Sequence, residues 1–262
     1  MKFPKKVTDY ICNWLEQYLN DSQMKGFVVG ISGGIDSAVT STLCAKTGYP
    51  VLCLEMPILQ EAGQISRAQE HVKWLKLQYP NVDSLQVQLD SVFQAFTQVI
   101  PEAANEKNQF LSLANTRARF RMSTLYYFAA LHGYLVAGTG NKVEDFGVGF
   151  YTKYGDGGVD ISPIADLLKT EVFTLAKYLD IIPAIQNAAP TDGLWGDNRT
   201  DEEQLGATYP ELEWAMNVFD NQDSHHFTTR QKEVFELYSK LHHQNLHKMI
   251  PIPVCKIPRD FK

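Results

Sequence analysis

Cysteine is scarce in this chain. Cys12, Cys44, Cys53 and Cys255 are its four, and no two form a C-x-x-C pair. That spacing argues against a disulfide framework or a zinc site. Cys44 and Cys53 fall in apolar stretches, where a buried thiol is expected. No apolar run reaches the length of a membrane span. The start, Met1-Lys-Phe-Pro-Lys-Lys6, leads into no apolar signal-peptide core, so the expected location is cytoplasmic. Positive charge is not in excess: the formal net charge is −6, without the electrostatic footprint of a nucleic-acid binder. There is no H-E-x-x-H motif, internal repeat or low-complexity tract. His242, His243 and His247 offer an alternative metal face, His243 and His247 standing four apart, but the rest of such a motif is lacking.

What remains is ordinary globular material. A hydrophobic share of 44% over 262 residues supports one core with a small addition. Residues 1–262 are expected to form a single domain with a C-terminal helical extension. The organising stretch is Phe27-Val-Val-Gly-Ile-Ser-Gly-Gly-Ile-Asp-Ser-Ala38. Its first five residues are apolar and β-branched, as in a buried strand. Ser32, Gly33 and Gly34 follow, then a helix over about 38–45. Strand, glycine turn and helix in that order make an anion site, because glycines admit close backbone approach and the first N–H groups of a helix are free. Asp36 and Ser37 add a metal-seeking carboxylate and a hydroxyl. The stretch has no Lys, so it is not the Walker phosphate loop.

Helix and strand alternate along the first half. Helices are expected over 4–19, 62–79, 91–99 and 110–131, and strands over 49–57, 81–90 and 133–139. That alternation means βαβ units: an α/β fold, a doubly wound, mostly parallel sheet with helices on both faces. Ligands then bind beyond the carboxyl ends of the strands, so the loops after Ile31, Glu55 and Thr139 should share one face. Two later loops stand out. Residues 146–158 hold five glycines, and 190–199 are polar and irregular. Both are expected to order over substrates. A helix starts near Asp201, a last one spans 229–241, and the tail from Ile250 is irregular.

The turn resembles the S-G-G-x-D-S loop of the N-type ATP pyrophosphatases. Further strings narrow the resemblance. They are Asn115-Thr-Arg-Ala-Arg119, Gly138-Thr-Gly-Asn-Lys-Val-Glu144, Thr152-Lys-Tyr-Gly-Asp-Gly-Gly-Val-Asp160, Leu168-Lys-Thr170, Pro190-Thr191, Asp201-Glu-Glu-Gln-Leu-Gly206 and His247-Lys248. In this order they resemble the synthetase domain of the NAD synthetase family. The resemblance implies the adenine nucleotide alpha hydrolase-like (Rossmann-like) fold. It implies amidation of deamido-NAD by ammonia, with ATP and Mg²⁺, through an acyl-adenylate. It places ATP over Gly30, Ile31, Ser32, Gly33, Gly34, Ile35 and Ser37, with Thr139, Lys169 and Thr191 also in contact. It makes Asp36 and Glu144 the Mg²⁺ ligands, with Asp36 and Lys169 central to catalysis. It assigns Asn115, Arg119, Lys153, Asp160, His247 and Lys248 to the deamido-NAD substrate. Arg117 and Arg121 are left as salt-bridged surface residues. The length leaves no room for the glutamine amidohydrolase domain of the longer glutamine-dependent enzymes.

Two departures stand out. Gly140-Asn141 replaces the Asp-His of many relatives, and the tail reads His-Lys-Met rather than His-Lys-Arg. Competing readings are the same chemistry on nicotinate mononucleotide, a tRNA-modifying ATP pyrophosphatase, and a nucleotide sensor without turnover. The tRNA reading predicts a basic surface and reactive cysteines, neither evident here. For Asp36 the plain alternative is a helix-capping carboxylate, and for Lys169 a solvated charge near a helix start. The predicted helix over 110–131 is apolar on more than one face, at Phe120, Met122, Leu125, Tyr126, Tyr127 and Phe128. With the family resemblance, this suggests a homodimer built on that helix.

Overall fold

The apolar run at 27–31 becomes the central strand of a four-stranded parallel sheet. The structure is a computed structural model, which describes residues 1–59, 62–101, 104–190, 200–221 and 227–262. The strands are β1 (Phe27–Gly30), β2 (Val51–Glu55), β3 (Val82–Gln86) and β4 (Leu135–Val136), in the order β3-β2-β1-β4. Val28 pairs with Leu52 on one side and Val136 on the other. Strand order runs outward from β1 through β2 to β3, then jumps back to β4. The crevice between β1 and β4 is therefore the switch point where such sheets bind ligands.

Side chains alternate across the sheet, and helices cover both faces. Phe27, Val29, Val51 and Cys53 pack with α1 (Pro4–Asp21), α2 (Ile35–Lys46), α3 (Ala62–Gln78) and α6 (Lys169–Tyr178) through Leu15, Leu43, Leu75 and Leu175. Val28, Leu52 and Leu54 face the other way, toward α4 (Asp90–Val99) and α5 (Glu106–His132). A short α7 (Pro183–Gln186) follows α6. A third cluster, with Val143, Val148, Leu212, Met216, Val234 and Tyr238, joins a π-helix (Val143–Val148) to α9 (Tyr209–Asn221) and α10 (Thr229–Met249). The five-residue α8 (Asp201–Leu205) leads into that cluster. Cys12, Cys44 and Cys53 are buried free thiols, and Cys255 is free and exposed.

Several boundaries move from their expected places. α2 begins at Ile35, with extended Gly34 as its N-cap, so Asp36 and Ser37 lie in its first turn. α5 begins at Glu106, because the Asn105 side chain accepts from the Asn108 amide and caps it. β4 keeps only two residues. Its outer edge bonds to the loop at 160–161 instead of a further strand: the Asp160 and Ile161 amides donate to the Val136 carbonyl. α10 continues past residue 241 to Met249. The π-helix, α7 and α9 have no counterpart in the expected elements.

Candidate active site

The glycine turn is folded on its own hydroxyls. Ser37 Oγ donates to the Gly34 carbonyl at 3.0 Å and accepts from the Ser32 amide at 3.2 Å, and the Gly34 amide donates to Ser32 Oγ at 3.1 Å. Gly33 sits at φ +81, a conformation that side chains resist. The turn opens into a cleft of about 500 Å³. Residues 30–37, Met56 after β2 and Gly138–Gly140 after β4 line it, so the three strand ends do share one face. Thr139 and Asn115 line it as well.

Three charges meet at the mouth of α2. Lys169, the first residue of α6, is buried to 2% exposure. Its Nζ lies 2.6 Å from Asp36 Oδ2 and 3.0 Å from Glu144 Oε1. Burial works against the ammonium, but the two carboxylates outweigh it and hold Lys169 above its ordinary pKa. Burial also pushes up Asp36, against the pull of Lys169. Glu144 is desolvated too, yet Lys169 and a bond from the Tyr209 hydroxyl hold it below its ordinary value. Lys169 is thus not a solvated charge. Nor does Asp36 cap its helix: no side-chain cap bond forms there, and its oxygens accept from Lys169 and from Asn141 Nδ2 at 3.2 Å.

The residues assigned to the second substrate separate into groups. Asn115 Oδ1 accepts from Thr152 Oγ1 at 2.6 Å, tying α5 to the glycine-rich loop. Lys248 lines the cleft and donates to the Gly149 and Tyr151 carbonyls, both at 2.8 Å. Arg119 donates to the Lys153 carbonyl at 3.3 Å, and Lys153 Nζ to the His247 carbonyl at 2.6 Å, so these three form a chain. Asp160 stands apart. Its carboxylate accepts from Tyr126 Oη at 2.9 Å and the Val136 amide at 2.8 Å, and it lines a separate open depression with Trp14 and Tyr18. Tyr154, within the glycine-rich string, holds φ +60 and a half-exposed ring. Thr191 and the rest of 191–199 lie outside the described residues.

Arg117 is not a surface residue. It is buried, with its guanidinium over the Phe93 ring at 5.6 Å. Arg121 donates to the Met56 carbonyl at 3.0 Å and lines the cleft. Of the histidines weighed as metal ligands, the Nδ1 atoms of His243 and His247 lie within bonding distance of carbonyls of their own helix. Among the described residues, no cluster of three or more His, Cys, Asp or Glu is arranged to hold a metal.

Sequence reasoning gave no role to four residues here, though it marked Asn141 as a departure. Arg67 of α3 reaches the Gly33 carbonyl at 3.4 Å. Asn141, fully buried, donates to Asp36 and accepts from the Glu144 amide at 3.2 Å, which settles the bonds of the Gly140-Asn141 departure. Asp145 lines the cleft, its carboxyl raised well above its ordinary pKa by burial and then by Glu144. Tyr209 lies 65 positions from Glu144 and bonds to it. No periodicity or spacing signals a contact of that range.

A family model described as NAD synthase matches residues 7–251. The chain is 40% identical to an NH(3)-dependent NAD(+) synthetase of Carboxydothermus hydrogenoformans over 211 residues, 80% of this chain and 84% of the relative. An NMN synthetase structure from Francisella tularensis superposes with TM-score 0.81 and 32% identity, covering 98% of each chain. An NH3-dependent NAD synthetase structure from Campylobacter jejuni gives TM-score 0.78 and 26% identity, covering 97% of this chain and 99% of that one.

Proposed function

The chain belongs to the NAD synthase family, and from that premise we propose that it amidates deamido-NAD with ammonia and ATP, giving NAD, AMP and pyrophosphate. The observation that carries the reading is the buried Asp36–Lys169–Glu144 cluster, set against a glycine turn at the sheet's switch point. A carboxylate does not react with ammonia near neutral pH. The nicotinate carboxylate first attacks the α-phosphorus of ATP, and the bond to the β-phosphate oxygen breaks. Ammonia then displaces AMP from the acyl carbon.

The residues divide this work. The turn from Gly30 to Ser37 offers backbone N–H groups and the N-terminal end of α2 to the phosphates. Lys169 supplies a positive charge, and Thr139 and Thr191 contact the nucleotide. No protein nucleophile is needed, because the substrate's own carboxylate attacks. Asp36 and Glu144 fit Mg²⁺: they are hard oxygen donors already converging on one cation, and Mg²⁺ takes one or two carboxylates with phosphates completing its shell. When bound, the ion supplies charge neutralisation to the departing pyrophosphate. Asn115, Arg119, Lys153, His247 and Lys248 hold the dinucleotide, and Asp160, turned to a separate depression, is set aside from that group.

The working form is a cytoplasmic homodimer of single-domain chains, with α5 at the interface. Leu111, Tyr127 and Leu131 support this, being 52%, 63% and 61% exposed on that helix. The similarity to the Francisella NMN synthetase makes nicotinate mononucleotide the substrate to measure against. Steady-state AMP formation with ATP, Mg²⁺, ammonium and each nicotinate nucleotide tests the reading. Faster turnover of deamido-NAD is expected. AMP formation with the mononucleotide alone, or with neither, overturns it.

A further inference from the structure

Lys169 and Asn141 bear on both carboxylates of the charged cluster, and Tyr209 reaches Glu144 alone. Both accept from Lys169 Nζ. Asp36 Oδ1 also accepts from Asn141 Nδ2, and Glu144 Oε1 also accepts from the Tyr209 hydroxyl at 2.5 Å. Tyr209 opens α9 and is 3% exposed. Its amide is fixed by Glu202 Oε1 at 2.8 Å, and Lys169 Nζ sits 4.8 Å from its ring centroid. One phenol therefore touches both a carboxylate and the cation, from an element remote in sequence. Asp201 Oδ2 lies 3.4 Å from the same oxygen. The hydroxyl has one proton, and the shorter contact places it on Glu144.

We propose that Tyr209 is a positioning residue that holds the Glu144 carboxylate in its working orientation while Lys169 turns to the phosphates. The proposal rests on the ATP-dependent reading above. When a triphosphate engages the ammonium, Glu144 loses the donor it shares with Asp36. Two like charges then face each other, and each is free to swing. Tyr209 remains as the stronger of the two donors left to Glu144, because its buried ring and anchored amide leave it one place to be. Asn141 does the same for Asp36. Partners that orient ligating carboxylates cost ~10–100-fold in affinity or activity when removed.

The test is Tyr209→Phe, which keeps the ring in its cluster beside Leu212 and Met216 and removes only the hydroxyl. Glu144 Oε1 retains Lys169 in the free protein, so the variant leaves no carboxylate stranded and should fold. Mn²⁺ binding is titrated in the presence of α,β-methylene-ATP by electron paramagnetic resonance, alongside pyrophosphate release with deamido-NAD. The expected result is Mn²⁺ affinity weaker by ~10–100-fold and a similar drop in kcat, with KM for deamido-NAD unchanged. In Glu144→Gln, adding Tyr209→Phe should cost little more, since groups acting as a unit fail together. Wild-type Mn²⁺ affinity in Tyr209→Phe, or fully additive losses in the double variant, overturns the proposal, as does a wild type that binds no Mn²⁺. A wild type that binds Mn²⁺ with the ATP analogue but never turns over deamido-NAD overturns the reaction, while the titration still decides on Tyr209.

Discussion

At the scale of the residue, the central charges make opposite demands on stability and activity. Asp36, Glu144 and Lys169 carry one net negative charge in a nearly closed space. Asp36→Asn leaves a neutral Lys169–Glu144 pair. The melting temperature should hold or rise, while pyrophosphate release falls by ~10²–10³, the usual cost of one preorganised transition-state contact. Lys169→Met strands two facing carboxylates and should cost ~3–5 kcal/mol in a thermal melt. Near-normal turnover in Asp36→Asn would reject its place in the clamp. Away from the cleft, His71 is fully buried, with Nε2 2.9 Å from Ser41 Oγ and Nδ1 without a partner among the described residues. Burial lowers its pKa from 6.5 to about 4. As pH falls, the unfolded chain takes up this proton before the folded one does. Stability is therefore intact above about 6.5 and drains away down to about 4, by about 3 kcal/mol in all. His71→Gln should lack that component in denaturant titrations across this range. Parallel curves for the two proteins would exclude it.

At the scale of the element, α10 closes the C-terminal cluster onto the loop that follows the π-helix. Asn245 Nδ2 donates to the Val148 carbonyl and Lys248 to that of Gly149. Gly149 terminates the π-helix at φ +65, and a Cβ there would stand 2.4 Å from the Asn245 Cβ. That atom cannot rotate away. Gly149→Ala should combine left-handed strain with overpacking and cost at least ~2 kcal/mol. It should also raise KM for the dinucleotide, because Lys248 rides on α10. A melt and KM like those of the wild type would show that helix and loop shift freely.

At the scale of the whole molecule, α5 serves two surfaces. Leu125, Tyr126 and Phe128 pack toward the sheet, and Tyr127 and Leu131, one turn apart, face outward. Most of the apolar residues read on this helix thus belong to the monomer's core. The outward pair carries the dimer proposal. Sedimentation at micromolar concentration should show a dimer for the wild type and a monomer for Tyr127→Glu/Leu131→Glu. A monomeric wild type would remove the interface.

The sequence alone determined the local things. Apolar runs, glycine positions and the 3.6-residue period depend on near neighbours, so β1, the glycine turn, α1 and the parallel α/β plan were legible. Motif strings extended that to Asp36, Glu144 and Lys169 as residues of one site. Tertiary structure decided what those residues touch. Taken without its motif, Lys169 could equally be a solvated charge, and only α6 shows it buried between two carboxylates from other elements. β4 reads as seven residues until the 160–161 loop occupies its edge. Asn141 and Tyr209 carry no signal of their own, since a hydrogen bond spanning 65 or 105 residues exists only once the chain has closed. Periodicity records which face of an element is apolar. Which charge lies against which is set by packing, where burial makes every unpaired polar group costly enough to select its partner.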